Sequence, residues 1–184
     1  ATPPPVPAGL STVTVQVPDD LAQAPFDRPR NAQVPADWTL AVVARVRGAR
    51  MAAWTPDGRL LISVPGTGQV LQVLPTQQVL LDGLDQPHGL MFAGSTLYVA
   101  ESDQIDAYDY ADGRAVNRRT VAGDLPDAKS PELRGAYAHA LKSVVVGHDG
   151  AVYFSIGSTG NVSAADRTAT PPRATIMRVP PGGG

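Results

Sequence analysis

The sequence has no cysteine among its 184 residues. That excludes a disulfide scaffold, Cys-ligated zinc and thiol catalysis, but it does not fix a compartment. Aromatic residues make up only 5%, too few for a base-stacking platform. The net charge is −2, from 15 Lys and Arg against 17 Asp and Glu, with no run of one sign. The clustered basic surface that nucleic acid requires is missing. No stretch approaches the ~20 apolar residues of a membrane-spanning helix. The start, "ATPPPVPAGLSTVTVQVP", has no basic region followed by an apolar one. It reads either as the proline-rich lead-in that follows a removed signal peptide or as an arbitrary boundary. Neither a Gly-x-Ser-x-Gly elbow nor a His-Glu-x-x-His pattern is present, so serine hydrolase and zincin readings have no support.

What the chain does have is punctuation: 18 glycines and 18 prolines in a composition that is still 43% hydrophobic. This argues for many short strands joined by turns. Residues 1–37 lack a sustained period and are expected to form an extended arm. From Trp38 the texture changes, and "WTLAVVARV" suggests a strand. Then a layout recurs. Apolar runs flank Asp57-Gly58, Gly94-Ser95 and Asp149-Gly150, each a hairpin turn in sequence. The runs fall into units over residues 48–83, 84–124 and 136–184, with an inserted loop from Gly123 to Ala138. About four strands every ~40 residues is the signature of a β-propeller. The expectation is all-β: about three four-stranded blades of a six-bladed ring. The third unit offers three strand candidates, so a continuing or second chain would have to close the ring. A small β-sandwich or barrel is the competing architecture.

"PDGRLLISVPGTGQVLQV", "GLDQPHGLMFAGSTLYVAES", "HALKSVVVGHDGAVYFSIGSTGNV" and "ATIMRVPPGG" resemble, in that order, the N-terminal half of soluble quinoprotein sugar dehydrogenases. This is the glucose/sorbosone dehydrogenase family, six-bladed propellers that use pyrroloquinoline quinone (PQQ) with calcium. The resemblance covers residues 38–184. It implies a periplasmic or secreted protein with a sugar or aldehyde substrate and a separate electron acceptor. It also implies that a histidine just before an inner strand is the catalytic base. His139 stands eight residues ahead of Gly147, ten ahead of Asp149, and upstream of Ile156-Gly157, as that motif requires. An imidazole suits proton abstraction because its pKa lies near neutrality. Two departures favour the sorbosone-type branch over glucose: Ala138 replaces an acidic residue, and Ser158 follows Ile156-Gly157. Most PQQ and calcium ligands of the family, among them an Arg-Asn pair and a Lys, are expected beyond residue 184.

Further candidates follow from the repeat. His88, in "QPHGLMF", and Arg50, in "GARMAAW", also precede inner strands and are read as counterparts of His139 around a channel mouth. Each is a candidate contact for substrate or an anionic cofactor. Ser158 and Asn161, in "GSTGNV", are expected where a strand returns to that mouth. Asn161-Val162-Ser163 is also formally a glycosylation sequon. His148 lies in a turn and is expected to be exposed without a role. "ESDQIDAYDY" gathers four carboxylates, read as a solvated strand edge in preference to a calcium site. "GTGQV" opens a strand, so it is a turn and not a phosphate cradle. Two other functions stay open: a lactonase-type hydrolase with a central calcium, and a non-catalytic binding propeller.

Overall fold

The computed structural model describes residues 9–130 and 139–182. The inserted loop expected up to Ala138 therefore lies in part outside the described residues. The chain divides into two compact units, Ala1–Val46 and Arg47–Gly184.

In the first unit, β1 (Leu10–Thr14) and β2 (Asn31–Pro35) form an antiparallel ladder. Arg45 ties down the intervening segment by donating to the carbonyls of Gln23 (2.9 Å) and Ala24 (2.7 Å). The strand expected over "WTLAVVARV" is not formed. That segment makes one isolated bridge, Gln16 with Ala41, and is otherwise irregular.

The second unit contains three antiparallel sheets, each in meander order. The first holds β3 (Ala52–Trp54), β4 (Leu60–Val64), β5 (Gln69–Leu74) and β6 (Gln78–Leu81). The second holds β7 (Leu90–Ala93), β8 (Thr96–Ala100), β9 (Ile105–Ala111) and β10 (Arg114–Ala122). The third holds β11 (Val144–Val146), β12 (Val152–Ile156) and β13 (Thr175–Val179). The expected Asp-Gly and Gly-Ser turns join β3 to β4, β7 to β8 and β11 to β12. The fold is that of three consecutive propeller blades.

Two-residue periodicity explains why the blades stack. On β8, Leu97 and Val99 face the first blade, where they join Leu61 and Val70 in one buried cluster. Ala100, on the opposite face, joins Val144, Phe154 and Ile156 of the third blade in another. The middle sheet is thus apolar on both sides and needs a neighbour on each. Burying a side chain such as Phe154, 3% exposed, is worth about 1.5–3 kcal/mol. The outer face of the third blade repeats this apolar pattern without a described neighbour: Val145 is 50% exposed and Ile176 69%.

The inner-strand starts fix the blades against each other through polar bonds. Ser63, fully buried on β4, accepts from Met51 N–H (3.1 Å) and donates to the His88 carbonyl of the next blade (2.7 Å). Between the second and third blades, Gly89 N–H donates to the Lys142 carbonyl (3.0 Å). A Cβ on Gly89 would lie 2.8 Å from Val144 N, so only glycine permits this approach.

Leu97→Ala should destabilise the protein by about 2–5 kcal/mol, because the cavity opens where two blades meet. Urea denaturation of the full protein checks this. A loss under about 1 kcal/mol would mean that this interface contributes little.

Candidate functional site

The register identifies which residues are equivalent among blades. Ser63 N–H donates to Met51 O, Ala100 N–H to Gly89 O, and Ser155 N–H to Ser143 O. Met51, Gly89 and Ser143 therefore occupy one position, and Arg50, His88 and Lys142 the position before it. This corrects the sequence reading. The third-blade counterpart of Arg50 and His88 is Lys142, not His139. His139 stands three residues earlier, on the segment leading into β11. The misassignment arose because β11 is short and its apolar run hides where the ladder begins.

His139 is exposed, and its ring is held from one side. Its Nδ1 lies 3.1 Å from the Ser158 carbonyl and 2.9 Å from Ser158 Oγ. The carbonyl can only accept, which favours the tautomer with its hydrogen on Nδ1, and in the neutral ring that tautomer presents the Nε2 lone pair. Ser158 is thereby placed as the partner that sets the tautomer. Backbone proximity enforces the arrangement: a Cβ on Gly157 would come within 2.3 Å of the His139 carbonyl oxygen and 2.7 Å of its Cβ.

His88 is half-buried and is held in the same way. Its Nδ1 lies 3.1 Å from the Lys142 carbonyl, so its Nε2 is also the unprotonated nitrogen. Arg50 is exposed, and its guanidinium makes no hydrogen bond among the described residues. Asn161 is exposed on the loop after β12. Asp166 anchors that loop, accepting from Thr159 N–H (2.9 Å) and Thr159 Oγ1 (2.5 Å). His139 and Ser158 are thus brought into contact, and His88 meets the third blade. Arg50 and Asn161 make no bond to either histidine.

Sequence reasoning missed Lys142. It is fully buried, and its Nζ donates to the carbonyls of Ser102, Pro126 (2.8 Å) and Ala140 (3.1 Å). Burial lowers its pKa to about 8, against the pull of Asp127, Asp103 and Asp85. The signal available in sequence was its place in the repeat, as the third cation-capable residue after Arg50 and His88.

Two of the four carboxylates of "ESDQIDAYDY" are not on a solvated edge, while Asp109 stays about half exposed and pairs with Arg119. Glu101 is 1% exposed and Asp106 is fully buried. Arg118 reaches in from β10 to both, at 2.6 Å from Glu101 Oε1 and 2.5 Å from Asp106 Oδ2. Burial pushes Glu101 up to about 7, and the hydrogen bond with Asp106 pushes the same way. Asp106 Oδ1 has no hydrogen-bond partner among the described residues. Among the described residues, no group of three or more His, Asp or Glu could hold a metal ion.

No protein-family model matches the chain, and neither does any curated protein. Solved structures do match in fold. The holo form of the pyranose dehydrogenase PQQ domain from Coprinopsis cinerea aligns with a TM-score of 0.61 and 20% identity, over 76% of this chain and 35% of that one. The calcium structure of a Trichoderma reesei carbohydrate-active enzyme of family AA12 gives 0.65 and 16%, over 95% and 39%. The PQQ-bound aldose sugar dehydrogenase from Streptomyces coelicolor gives 0.59 and 17%, over 96% and 50%. The chain is a partial β-propeller of the kind these proteins contain. It spans half or less of each of them.

Two outcomes are expected. Gly157→Ala should displace His139 and change the nitrogen chemical shifts of its ring; unchanged shifts would show that the close approach is not what holds it. Glu101 keeps its proton more tightly folded than unfolded, so its contribution is full below about pH 4.5 and is lost as pH rises through about 7. Glu101→Gln should flatten that decline in denaturation midpoints compared between about pH 5 and about pH 8. A parallel decline in both proteins would exclude Glu101 as its source.

Proposed function

We propose that this chain is part of a periplasmic or secreted quinoprotein that oxidises a sugar or aldehyde, with His139 as the base. The observation that carries this reading is the His139–Ser158 contact, which leaves an exposed imidazole with its lone pair on Nε2. The propeller fold shared with PQQ-bound sugar dehydrogenases supports it.

Bound PQQ would supply the hydride acceptor. His139 Nε2 takes the proton of the hydroxyl on the carbon that loses the hydride. The C–H and O–H bonds break, two electrons leave with the hydride, and a carbonyl forms. Ser158 holds Nδ1–H during this transfer, so the ring becomes imidazolium without rotating. Arg50 suits an anionic quinone, since its guanidinium is exposed and uncommitted among the described residues. His88 and Asn161 are assigned to sugar hydroxyls, and the "GS…N" pattern favours a sorbosone-type substrate over glucose. No step is assigned to calcium, because among the described residues no three His, Asp or Glu side chains are gathered to hold it. A lactonase mechanism would place carboxylates at the inner-strand starts. Arg50, His88 and Lys142 stand there instead, which favours the dehydrogenase.

In the full-length protein supplied with PQQ and calcium, aldoses should drive reduction of an artificial electron acceptor. His139→Ala should lower kcat by about 10²–10⁴-fold and leave PQQ affinity near that of the wild type. If no dye is reduced and PQQ shows no spectral change on mixing, the dehydrogenase reading fails. Full turnover by His139→Ala would remove only the base assignment.

A further inference from the structure

The one fully buried lysine among the described residues lies against both histidine-bearing segments, and the proposed reaction leaves it without a task. We propose that Lys142 is a positioning residue whose buried ammonium sets the geometry of the segment that carries His139. The proposal rests on the dehydrogenase reading for its catalytic consequence, but its structural content does not.

Three observations converge. The first is the ammonium. Among the described residues it donates to three backbone carbonyls: Ser102 on the β8–β9 loop, Pro126 on the crossover between blades, and Ala140 beside His139. The segment that carries His139 is thereby fastened to the β8–β9 loop of the preceding blade and to the crossover. The second is the Lys142 carbonyl. It accepts from Gly89 N–H (3.0 Å) and lies 3.1 Å from His88 Nδ1, so the stretch of main chain that the ammonium anchors also meets the second blade at His88. The third is register. Lys142 occupies the position that Arg50 and His88 fill in the other blades, yet here the side chain is withdrawn completely from solvent. Burying an ammonium is costly, and an apolar side chain would pack there without that desolvation. What the ammonium adds is direction, since it can hold three carbonyls at one point. Asp85, Asp103 and Asp127 surround it and favour its charged form.

The experiment uses the full-length protein with histidine labelled by nitrogen-15. In the wild type, both His88 and His139 should show the Nδ1–H signature. In Lys142→Met, which keeps the length and removes the donors, that signature should be lost or averaged for His139. The kcat should fall about 10–100-fold, as expected for a base displaced by about 1 Å, while KM changes less than about twofold. Lys142→Ala leaves room for an added amine. Propylammonium should restore at least about fivefold of its lost kcat, and tetramethylammonium, which lacks N–H donors, should not. Wild-type ring signals and kcat in Lys142→Met would overturn the proposal, as would equal rescue by the two cations. Should Lys142→Met fail to fold, Lys142→Ala prepared in propylammonium carries the test: retention of the His139 signal after the amine is removed would overturn it. If the wild type proves inactive, the nitrogen signals still decide the positioning role, and only the reaction assignment falls.

Discussion

A sheet that is apolar on both faces cannot stand alone, and this constraint shapes everything else in the second unit. The middle blade buries Leu97 and Val99 on one side and Ala100 on the other. Apolar contact sets how close the blades lie but says little about their vertical alignment, because such contact is non-directional. Alignment comes from the few polar bonds at the inner-strand starts. The carbonyls of His88 and Lys142 both accept from the preceding blade. The proposed site is built on those same residues and the turn before them. Its geometry is therefore a by-product of how the blades are joined.

That origin accounts for the histidines. Both rings use Nδ1 against a backbone carbonyl, so both have the same tautomer chosen for them by main chain. The buried Glu101 and Asp106, covered by the exposed Arg118, lie within the second blade. They contribute a pH-sensitive element to stability but make no bond to either ring.

Much of the fold was legible in sequence because turn chemistry is local. Asp57-Gly58, Gly94-Ser95 and Asp149-Gly150 announce their hairpins, and the repeat of runs between them implies stacked sheets. The pairing of His139 with Ser158 was half visible, since both were picked as candidates but not as partners. What was hidden depends on residues distant in the chain. Nothing near Glu101 and Asp106 signals that Arg118 will cover them. Lys142 looks like an ordinary polar residue before a strand until the ladder shows which position it holds. "WTLAVVARV" has strand composition but finds no ladder, because composition alone supplies no partner strand.

Ser63 and Ser155 occupy the same place in their blades, and both accept a backbone N–H from the adjoining inner strand, Met51 and Ser143 respectively. Ser63 spends its own hydrogen on the next blade. Ser155 points the same way, from the face that carries Val145 and Tyr153. That face is slippery by chemistry, since valine and isoleucine tolerate sliding. A single hydroxyl acts on it as a notch: a sheet docking there would match a carbonyl to Ser155 at one height only. A shift of one residue along the strand would leave the hydrogen unanswered.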